Sequence, residues 1–544
     1  MLQQVMVAPG VIGFREVEIP KCEANQVLVK MSRIGICGSD IHVFHGRHPF
    51  TSYPITQGHE VSGEIFEIGQ DVVGLKVGQK VTIQPQVVCG KCYLCRTGKY
   101  NLCEELKVMG FQTTGAASQF FAVDSDKITV LPEGMSLEEG AMIEPLAVAV
   151  HALRHAGDVK GLNVAIIGAG PIGNLVAQTT KALGAHKVLV TDISDFRLEK
   201  AKECGIDFIV NTKSTDFGAA LLKNFGADRA DVIFDCAGND VSMGQAIKHS
   251  RKGSMIVLVA VFADLARVDL AVLNDKELSL NTSMMYRNED YVEAVELVNK
   301  KKVQLETLIS KHFDFAEFQK AYEFIENNRE TTMKVIINLD LIIRLESESD
   351  WFESENVTRE AFWNKYRPGC DEHYVLNTFR SRPDFVKDLD YVVEMDGKII
   401  GHIMYCKSEI LCDDGQVLNI LTFGPVSVLP EFQGKGIGAK LIRLSLERAC
   451  ELGFGAVAIT GDPNYYNRFG FVSGQSMGVY YAAMPREQET PFFMIKELRP
   501  GFLDGVKGSF TDPEGYHVEP EEVEKFDLKF TPKVKEKLPG QLWD

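Results

Sequence analysis

The feature that most restricts the fold of this chain is a series of short apolar strands that alternates with helix-like segments from Asn163 onward. The series opens with NVAIIGAGPIGN and continues through HKVLVTDIS, RLEKAKECG and DVIFDCAG before it fades near Asn281. Strands that alternate with helices in this way predict a parallel sheet with helices on both of its faces. We therefore expect a doubly wound α/β domain over residues 151–284.

The first turn of that domain has the pattern of a dinucleotide site, a G-x-G-x-x-G between an apolar strand and a helix start. Glycines permit a tight turn and close approach of the backbone to a pyrophosphate, which the helix N-terminus attracts. The second strand ends at Asp192, nineteen residues after Gly173. A carboxylate there accepts hydrogen bonds from ribose hydroxyls and repels a 2′-phosphate, so we expect NAD in preference to NADP. The predicted cofactor-binding residues of this turn are Gly168, Gly170, Pro171, Ile172, Gly173, Asp192 and Arg197.

Two of these assignments have alternatives. Asp192 has the alternative of a solvated acid at a strand end. Arg197, five residues further on, would weaken the preference for NAD if its guanidinium reached the ribose.

Four of the twelve cysteines lie within fifteen residues, in CGKCYLCRTGKYNLC. Gaps of two residues let several thiolates converge on one ion at about 2.3 Å, and four thiolates without a histidine are typical of a closed, structural zinc site. The alternatives are free thiols or an iron–sulfur cluster, whose last cysteine is usually followed by proline, where this chain has Glu104. The predicted zinc ligands are Cys89, Cys92, Cys95 and Cys103.

A second set of possible metal ligands lies upstream, where Cys37 occurs in GICGSDIHVFHG and His59 precedes Glu60 in QGHEVSG. A catalytic zinc takes three protein ligands and leaves a fourth position to water or substrate. Taken singly, Cys37 is as readily a core thiol and His59 a buried, hydrogen-bonded histidine. Their occurrence together with the cysteine cluster and the dinucleotide pattern favours a catalytic zinc site.

On these motifs, residues 1–339 resemble the zinc-containing medium-chain dehydrogenase family. GHEVSGEI is similar to that family's catalytic-zinc motif, and CGSDIH to the segment whose hydroxyl and histidine relay a proton. The resemblance implies a mostly β, GroES-like catalytic domain at 1–150 and 285–340. It also implies that zinc lowers the pKa of the substrate hydroxyl while NAD accepts a hydride. By the same resemblance, Ser39 and His42 conduct the released proton outward.

The third-ligand position departs from the ethanol-type branch of the family, because EPLAVAVHA offers Glu144 instead of a cysteine. This resembles the polyol, threonine and sugar-acid branch, which implies that Glu60 is a direct metal ligand and that the equivalent of Glu144 either acts through water or binds the ion in another state; the sequence does not rank these two roles. Tyr286 and Arg287 occupy the place where that branch puts substrate-facing polar groups. An arginine there would bind a carboxylate or phosphate, although an exposed arginine before a helix is an equal alternative. The resemblance further implies a homodimer or homotetramer.

A second fold begins near residue 341, and its most informative segment is PVSVLPEFQGKGIG. The Q-x-x-G-x-G pattern lies between a strand and a helix, where backbone amides can hold a pyrophosphate. No Lys-Ser or Lys-Thr follows, so it is not a nucleoside-triphosphate loop. Residues 341–499 resemble the GNAT acetyltransferase superfamily, an α+β fold. The resemblance implies acetyl-CoA contacts at Val426, Val428, Gln433, Gly434, Lys435, Gly436, Ile437 and Gly438.

The segment YYNRFGF resembles the tyrosine-bearing motif of that superfamily. The resemblance implies that Tyr466 protonates the departing thiolate, and the alternative is a core aromatic at a strand end. No general base can be identified, because Glu431 and Asp462 are near only in sequence. We expect a bifunctional fusion that also transfers an acyl group, to an amine acceptor. The alternative is a non-catalytic acyl-CoA-binding module that regulates the dehydrogenase, and a zinc-free reductase conflicts with the cysteine motifs.

Composition and charge restrict the binding partners and the compartment that we expect for this chain. The 544 residues carry a net charge of −17, which opposes nonspecific binding to nucleic acid or anionic lipid. No stretch approaches the ~20 apolar residues of a membrane helix, and the N-terminus lacks a secretion leader, so we expect a cytoplasmic protein with small-molecule substrates. The final segment, residues 500–544, is charged and weakly periodic, and it predicts either a packed extension or a loose tail.

Overall fold

The structure of the protein is a computed structural model, and it describes residues 1–262, 265–395 and 397–542. The chain folds into two compact units, Met1–Leu339 and Asp340–Asp544. Among the described residues, no helix combines the length and the apolar character needed to cross a bilayer.

The first unit combines many short strands with helices of four to fourteen residues. Its strands are β1 (Leu2–Ala8), β2 (Val11–Glu16), β3 (Gln26–Ile36), β4 (Glu60–Ile68), β5 (Lys80–Ile83), β6 (Gln86–Val87), β7 (Lys107–Val108), β8 (Phe120–Asp124), β9 (Ile128–Val130), β10 (Asn163–Ile167), β11 (Lys187–Asp192), β12 (Phe208–Asn211), β13 (Val232–Asp235), β14 (Met255–Leu258), β15 (Ser279–Thr282), β16 (Ile309–Asp314) and β17 (Lys334–Asn338). Its α-helices are α1 (Gly38–Phe44), α2 (Tyr93–Arg96), α3 (Leu137–Ala141), α4 (Ile143–Ala156), α5 (Pro171–Ala182), α6 (Asp195–Glu203), α7 (Phe217–Phe225), α8 (Asp240–His249), α9 (Leu270–Asp275), α10 (Asn288–Asn299) and α11 (Phe318–Asn327).

One large sheet of this unit has the order β16-β17-β3-β4-β5-β9, with β8 also paired to β3. Only β16 and β17 run parallel; the other pairs are antiparallel. Val29 and Ile34 of β3 and Ile65 of β4 lie in one apolar core. Val29 and Ile34 are five residues apart, and the β3–β4 pairing has a register irregularity between Met31 and Arg33 that interrupts the strict alternation of faces. This sheet confirms the predicted mostly β, GroES-like fold. The sheet also brings β17, from the end of the unit, against β3 from its beginning.

The other large sheet is parallel throughout, with the order β12-β11-β10-β13-β14-β15. Its central strand β10 is apolar and buried from Val164 to Ile167, as expected of a strand covered on both faces. The strand order reverses between β10 and β13, and doubly wound sheets bind ligands at the carboxyl ends of the strands beside such a reversal. The predicted doubly wound fold is confirmed.

The second unit is an α+β fold around one mixed sheet. Its strands are β18 (Ile342–Leu345), β19 (Tyr391–Met395), β20 (Lys398–Cys412), β21 (Val417–Val428), β22 (Ala456–Thr460), β23 (Val472–Ser473), β24 (Val479–Tyr481), β25 (Phe493–Glu497) and β26 (Gly508–Phe510). Its α-helices are α12 (Trp351–Phe362), α13 (Glu372–Phe379), α14 (Ile437–Glu451), α15 (Pro463–Tyr466) and α16 (Pro520–Asp527).

The sheet order is β18-β19-β20-β21-β22-β25-β23, and β26 pairs with both β20 and β24. Strands β21 and β22 are parallel, and they pair only through Leu421 and Thr422 of β21. Beyond these residues β21 continues to Val428, paired with β20 alone. The carboxyl-terminal half of β21 therefore has no pairing with β22. Since β26 and α16 both come from residues 500–544, this segment is packed on the second unit and is not a loose tail.

Candidate active sites

The first candidate site lies where β3 ends and β4 begins. The antiparallel register places Gly35 opposite Glu60, which brings Cys37, just after β3, to His59 and Glu60. One ligand atom from each of these three residues lies within 4.8 Å of the other two. His59 and Glu60 are buried, and a Cβ added at Gly35 would overlap the Glu60 carboxylate. A thiolate, an imidazole and a carboxylate make a donor set that fits zinc with one open position.

Asp40, in α1, supports this cluster from the side of His59. Its Oδ1 lies 3.5 Å from His59 Nδ1, its Oδ2 accepts a hydrogen bond from the backbone N–H of Cys37 at 2.9 Å, and Gln57 donates to Oδ1 at 3.1 Å. Burial lowers the pKa of His59, but the Asp40 and Cys37 charges outweigh it and hold that pKa well above its usual value. A carboxylate behind a ligating histidine fixes its tautomer and orientation. Sequence reasoning missed Asp40, although it lies within the CGSDIH motif.

Lys334 supports the cluster from the side of Glu60. Its Nζ lies 2.7 and 2.6 Å from the two carboxylate oxygens of Glu60, and both side chains are buried. Burial opposes the charge of Lys334, but the Glu60 and Cys37 charges raise its pKa above the usual value. Sequence reasoning missed this residue too. A lysine inside the otherwise apolar strand MKVIINL was the available signal.

Glu144 lies outside the cluster of three ligands, at the start of α4. The Tyr286 hydroxyl donates a hydrogen bond to its carboxylate, and Tyr286 is fully buried. Burial, reinforced by the charge of Glu60, raises the pKa of Glu144 to about 7, against the opposing effects of His59 and Tyr286. The neighbouring Arg287 holds its Nε 3.1 Å from the carboxylate of Glu289. The structure thus turns Tyr286 towards Glu144 and gives Arg287 an acidic partner.

The two predicted relay residues both lie on α1, which begins directly after Cys37. Ser39 is half-buried in the first turn, and His42 is exposed in the last turn. A spacing of three residues puts them on one face of the helix. The helix therefore leads from the metal ligand towards the surface.

The four clustered cysteines lie together, with all four Sγ atoms within 4.8 Å of one another. Backbone amides point at the sulfur atoms: the N–H groups of Cys92, Cys95 and Cys89 donate to the Sγ of Cys89, Cys92 and Cys103 at 3.4, 3.5 and 3.3 Å. Backbone hydrogen bonds lower the pKa of Cys92 to about 6, whereas burial and the neighbouring thiols raise the pKa of Cys95 to about 12 in the metal-free group. The donor set fits a closed, tetrahedral zinc site without an open position.

The dinucleotide turn requires its glycines for separate reasons. Gly168 has φ +100°, and its N–H donates to Thr191 at 2.7 Å. A Cβ added at Gly173 would overlap the Gly168 carbonyl, so the helix approaches the strand more closely than other residues allow. Gly170 caps α5, and Pro171 occupies the first helical position, where the missing N–H costs no hydrogen bond.

Asp192, at the end of β11, is connected to this turn. Its two oxygens accept hydrogen bonds from the N–H groups of Ala169 and Ser194 at 2.7 and 2.8 Å. The carboxylate therefore has a fixed position beside the glycine turn. Arg197 extends away to donate to the Arg329 carbonyl at 3.1 Å.

In the second unit, the glycine-rich loop precedes α14. Gly434 and Gly436 adopt left-handed conformations with φ +75° and +84°. The Gln433 side chain donates to the Val428 carbonyl at 2.9 Å, which attaches the loop to the end of β21. A Cβ added at Gly438 would lie 2.9 Å from the Tyr465 hydroxyl. The loop and the start of α14 therefore lie beside the end of β21, in the half of that strand that does not pair with β22.

Tyr466 ends α15, and its ring packs against four aromatic rings. Burial raises the pKa of Tyr466 above its usual value. The phenol is therefore protonated at neutral pH and able to donate a proton.

A third metal-capable group of the described residues consists of Glu346, Asp390 and His402, all buried in the second unit. Arg380 donates to both oxygens of Glu346 at 2.8 Å, and His402 Nε2 lies 2.8 Å from Asp390. Because the arginine already occupies the Glu346 carboxylate, we interpret this group as a buried ion network within the core.

A three-ligand metal cluster with an open position, a four-cysteine loop and a parallel-sheet dinucleotide turn together define the class of zinc-dependent dehydrogenases. Family models agree. The alcohol dehydrogenase GroES-like domain matches residues 23–133, the zinc-binding dehydrogenase domain 171–300, and the acetyltransferase (GNAT) domain 388–473.

Individual proteins give the same result. A sorbitol dehydrogenase of Halalkalibacterium halodurans is 35% identical over 332 residues, 60% of this chain and 96% of the relative. The L-galactonate-5-dehydrogenase of Escherichia coli is 34% identical over 330 residues, with coverage of 60% and 96%. The crystal structure of an E. coli alcohol dehydrogenase, RspB, complexed with NADH, has a TM-score of 0.59 and 31% identity, covering 62% of this chain and 99% of its own. The chain therefore belongs to the zinc-binding alcohol dehydrogenase family and carries an additional GNAT domain, as the motifs predicted.

Proposed function

We propose that the first unit oxidises a secondary alcohol of the polyol or sugar-acid class and uses NAD as the hydride acceptor. The convergence of Cys37, His59 and Glu60 carries this proposal. Similarity to a sorbitol dehydrogenase and an L-galactonate-5-dehydrogenase supports the substrate class. A bound zinc ion would supply the Lewis acidity that lowers the pKa of the substrate hydroxyl, and NAD the capacity to accept a hydride.

Within this proposal, Cys37, His59 and Glu60 hold the catalytic zinc, because their ligand atoms already converge. Glu144 acts beside the metal, at the start of α4, where the Tyr286 hydroxyl donates a hydrogen bond to its carboxylate. Ser39 and His42 conduct the hydroxyl proton along α1 to the surface, a task that suits a histidine, whose pKa is near neutrality. A second, structural zinc would be held by Cys89, Cys92, Cys95 and Cys103.

The experiment is NAD reduction by the zinc-loaded protein across polyols, sugar acids, sugar phosphates and threonine. We expect turnover with a polyol or sugar acid. In the same assay, Ser39→Ala is expected to lower turnover while zinc content stays unchanged, because the relay loses its hydroxyl. Ser52→Ala, at an exposed position outside α1, is the matched control. Full turnover by Ser39→Ala would contradict the relay.

For the second unit, we propose acetyl transfer from acetyl-CoA to an amine. Three features support it: the left-handed glycines before α14, the half of β21 not paired with β22, and the protonated phenol of Tyr466. Tyr466 would protonate the CoA thiolate as it departs.

The test is release of free CoA from acetyl-CoA in the presence of amino acids, amino sugars and polyamines, alongside calorimetric binding of acetyl-CoA. Release that Tyr466→Phe abolishes, with binding retained, supports catalysis. Binding without release favours the regulatory acyl-CoA-binding module. Family resemblance also supports a dimer or tetramer, which light scattering of the full chain tests.

A further inference from the structure

Strand β21 contains a bulge where it diverges from β22. Gly424 and Pro425 both stand opposite Met404 in the register with β20, so β21 has one residue more than its partner strand here. A bulge bends its strand and ends regular pairing, and proline has no N–H to donate to a neighbouring strand. The pairing with β22 ends two residues earlier, at Thr422, although β22 itself continues to Thr460. The bulge therefore lies at the point where the two strands diverge.

Tyr466 contacts both strands at this divergence. Its ring centroid lies 6.0 Å from that of Phe423, which directly precedes the bulge. A Cβ added at Gly461, directly after β22, would lie 2.5 Å from the Tyr466 ring. At the other end of the unpaired half of β21, the Gln433 side chain attaches the glycine-rich loop to the Val428 carbonyl. The bulge, the proposed proton donor and the proposed pyrophosphate loop therefore all adjoin the unpaired half of β21.

Tyr516 of the C-terminal segment, residues 500–544, reaches this bulge. Its hydroxyl donates a hydrogen bond to the Gly424 carbonyl at 2.9 Å, and the Cys406 thiol, 3.9 Å away, donates to the same hydroxyl oxygen. A Cβ added at Gly424 would lie 3.7 Å from this hydroxyl, so the phenol lies on the side of Gly424 where other residues carry a side chain. Desolvation, reinforced by Cys406, raises the pKa of Tyr516 well above its usual value, and the hydroxyl therefore stays protonated.

Contacts with α13 and β24 hold this part of the C-terminal segment in place. The ring centroid of Tyr516 lies 4.9 Å from that of Phe379, at the end of α13. A Cβ added at Gly515 would lie 2.5 Å from the same phenyl ring, so a larger residue there would push the segment away. Asp512 accepts a hydrogen bond from the hydroxyl of Tyr481, in β24. The residues of the segment that make these contacts lie beyond the matched GNAT domain, which ends at residue 473.

We propose that Tyr516 is a positioning residue of the transferase site, an inference that rests on the proposed acetyl transfer. Its hydrogen bond to Gly424 holds the bulge, and the bulge keeps the unpaired half of β21 open for the pantetheine arm of acetyl-CoA. Without the hydroxyl, the Gly424 carbonyl loses its partner, and a carbonyl without a partner costs free energy. The strand then gains by straightening towards β22, which closes the edge that the arm uses and moves the thioester away from Tyr466.

The test measures binding to the full chain by calorimetry, with saturating NAD present so that the dinucleotide site is filled. Acetyl-CoA is compared with 3′-phosphoadenosine 5′-diphosphate, which carries the nucleotide and pyrophosphate of CoA but no pantetheine arm. Tyr516→Phe keeps the ring and removes the hydroxyl. We expect its Kd for acetyl-CoA to rise at least about fivefold, the scale of one lost hydrogen bond, and its Kd for the nucleotide to stay within about twofold of wild type.

CoA release should respond together with binding. With the most active amine of the panel, kcat of Tyr516→Phe should fall at least about tenfold, because a small displacement of the reacting groups is enough to cost this much. General damage to the fold of the second unit would weaken the binding of both ligands alike. The proposed role weakens only the ligand that carries the arm.

Tyr481→Phe is the matched control, since it also removes a hydroxyl that anchors the C-terminal segment, but one that bonds to Asp512 and not to the bulge. It should bind acetyl-CoA as wild type does. An equal loss in Tyr481→Phe, or an equal loss of both ligands in Tyr516→Phe, would overturn the role of the Gly424 contact. Wild-type affinity and turnover in Tyr516→Phe would overturn it as well.

Failure of the proposed acetyl transfer gives a different result. A wild-type chain that binds acetyl-CoA but releases no CoA with any amine would overturn acetyl transfer, and the comparison of the two ligands would still decide whether Tyr516 holds β21 open. A wild-type chain that binds no acetyl-CoA would overturn both proposals.

Discussion

Lys334 and Glu60 form a buried, bidentate ion pair that joins the last strand of the dehydrogenase unit to its metal cluster. The ammonium nitrogen lies 2.6 and 2.7 Å from the carboxylate oxygens. In this pair the lysine already neutralises the carboxylate that we propose as the third zinc ligand. A zinc ion held by Glu60 would therefore share this carboxylate with Lys334, and Lys334 supplies the compensating charge in the metal-free protein.

Lys334→Met should destabilise the metal-free protein by about 3–5 kcal/mol, because it leaves a buried carboxylate without its partner. The measurement is hydrogen exchange of β3 and β17 amides in chelator-treated full-length protein. Lys334→Arg, which keeps the positive charge, should lose less stability than Lys334→Met. Unchanged hydrogen exchange in Lys334→Met would show that the fold around Glu60 does not depend on the charge of Lys334.

Glu144 should make the stability of the metal-free protein depend on pH. Its pKa in the fold is about 7, above the usual 4.5, so the folded protein binds this proton more tightly than the unfolded chain. The resulting stabilisation is complete below pH of about 4.5 and is lost as pH rises through about 7.

Glu144→Gln has a neutral side chain at every pH. It should therefore remove this pH-dependent part of the unfolding free energy, which is on the order of 3 kcal/mol. Urea unfolding of the metal-free full chain between pH 4.5 and 7.5 measures it, with Glu133→Gln, at an exposed position, as control. A variant whose slope matches wild type over this range would contradict the assignment.

The fold class was predictable because its signals are local. The glycine turn and the closely spaced cysteines each lie within a few dozen residues, and each strand or helix of the alternating series can be recognised from its own short segment. The same is true of His59 and Glu60, which are adjacent. Lys334 was not predictable, because its partner lies more than 250 residues away and the pair exists only through the β3–β17 register.

Tyr286 was predictable as a residue of the site, but its orientation was not. Its family position suggested a substrate-facing group, but its orientation is decided by packing against α4, where its hydroxyl meets Glu144. Likewise, the placement of α13 depends on the C-terminal segment, which carries no recognisable motif but brings Asp527 within 3.2 Å of His373 Nε2.

Asp192→Ser should shift cofactor preference from NAD towards NADP. The substitution removes the negative charge that would repel a 2′-phosphate, and we expect the ratio of kcat/KM values for the two cofactors to move by at least about tenfold. The serine also loses one of the carboxylate's two backbone hydrogen bonds, so activity with NAD should fall. Asp195→Ser, three residues away on α6, is the matched control. An unchanged ratio of the two kcat/KM values would show that Asp192 does not face the 2′ position of the cofactor ribose.

Cys95→Ser should lower the zinc content of the full chain from two ions to one, because a closed site needs all four thiolates. The consequence should extend beyond the loop. Asn101 donates to the Met284 carbonyl at 2.9 Å, and Tyr100 accepts from the Asn288 N–H, so the loop fixes the segment that carries Tyr286.

We therefore expect faster hydrogen exchange both in residues 89–108 and around 284–288 in Cys95→Ser, and lower turnover although the catalytic ligands are intact. Cys450→Ser, at an exposed cysteine of the second unit, should keep two ions and normal exchange. Two ions retained by Cys95→Ser would contradict the four-cysteine site. One ion with unchanged exchange at 284–288 would instead show that this segment holds Tyr286 in place without the loop.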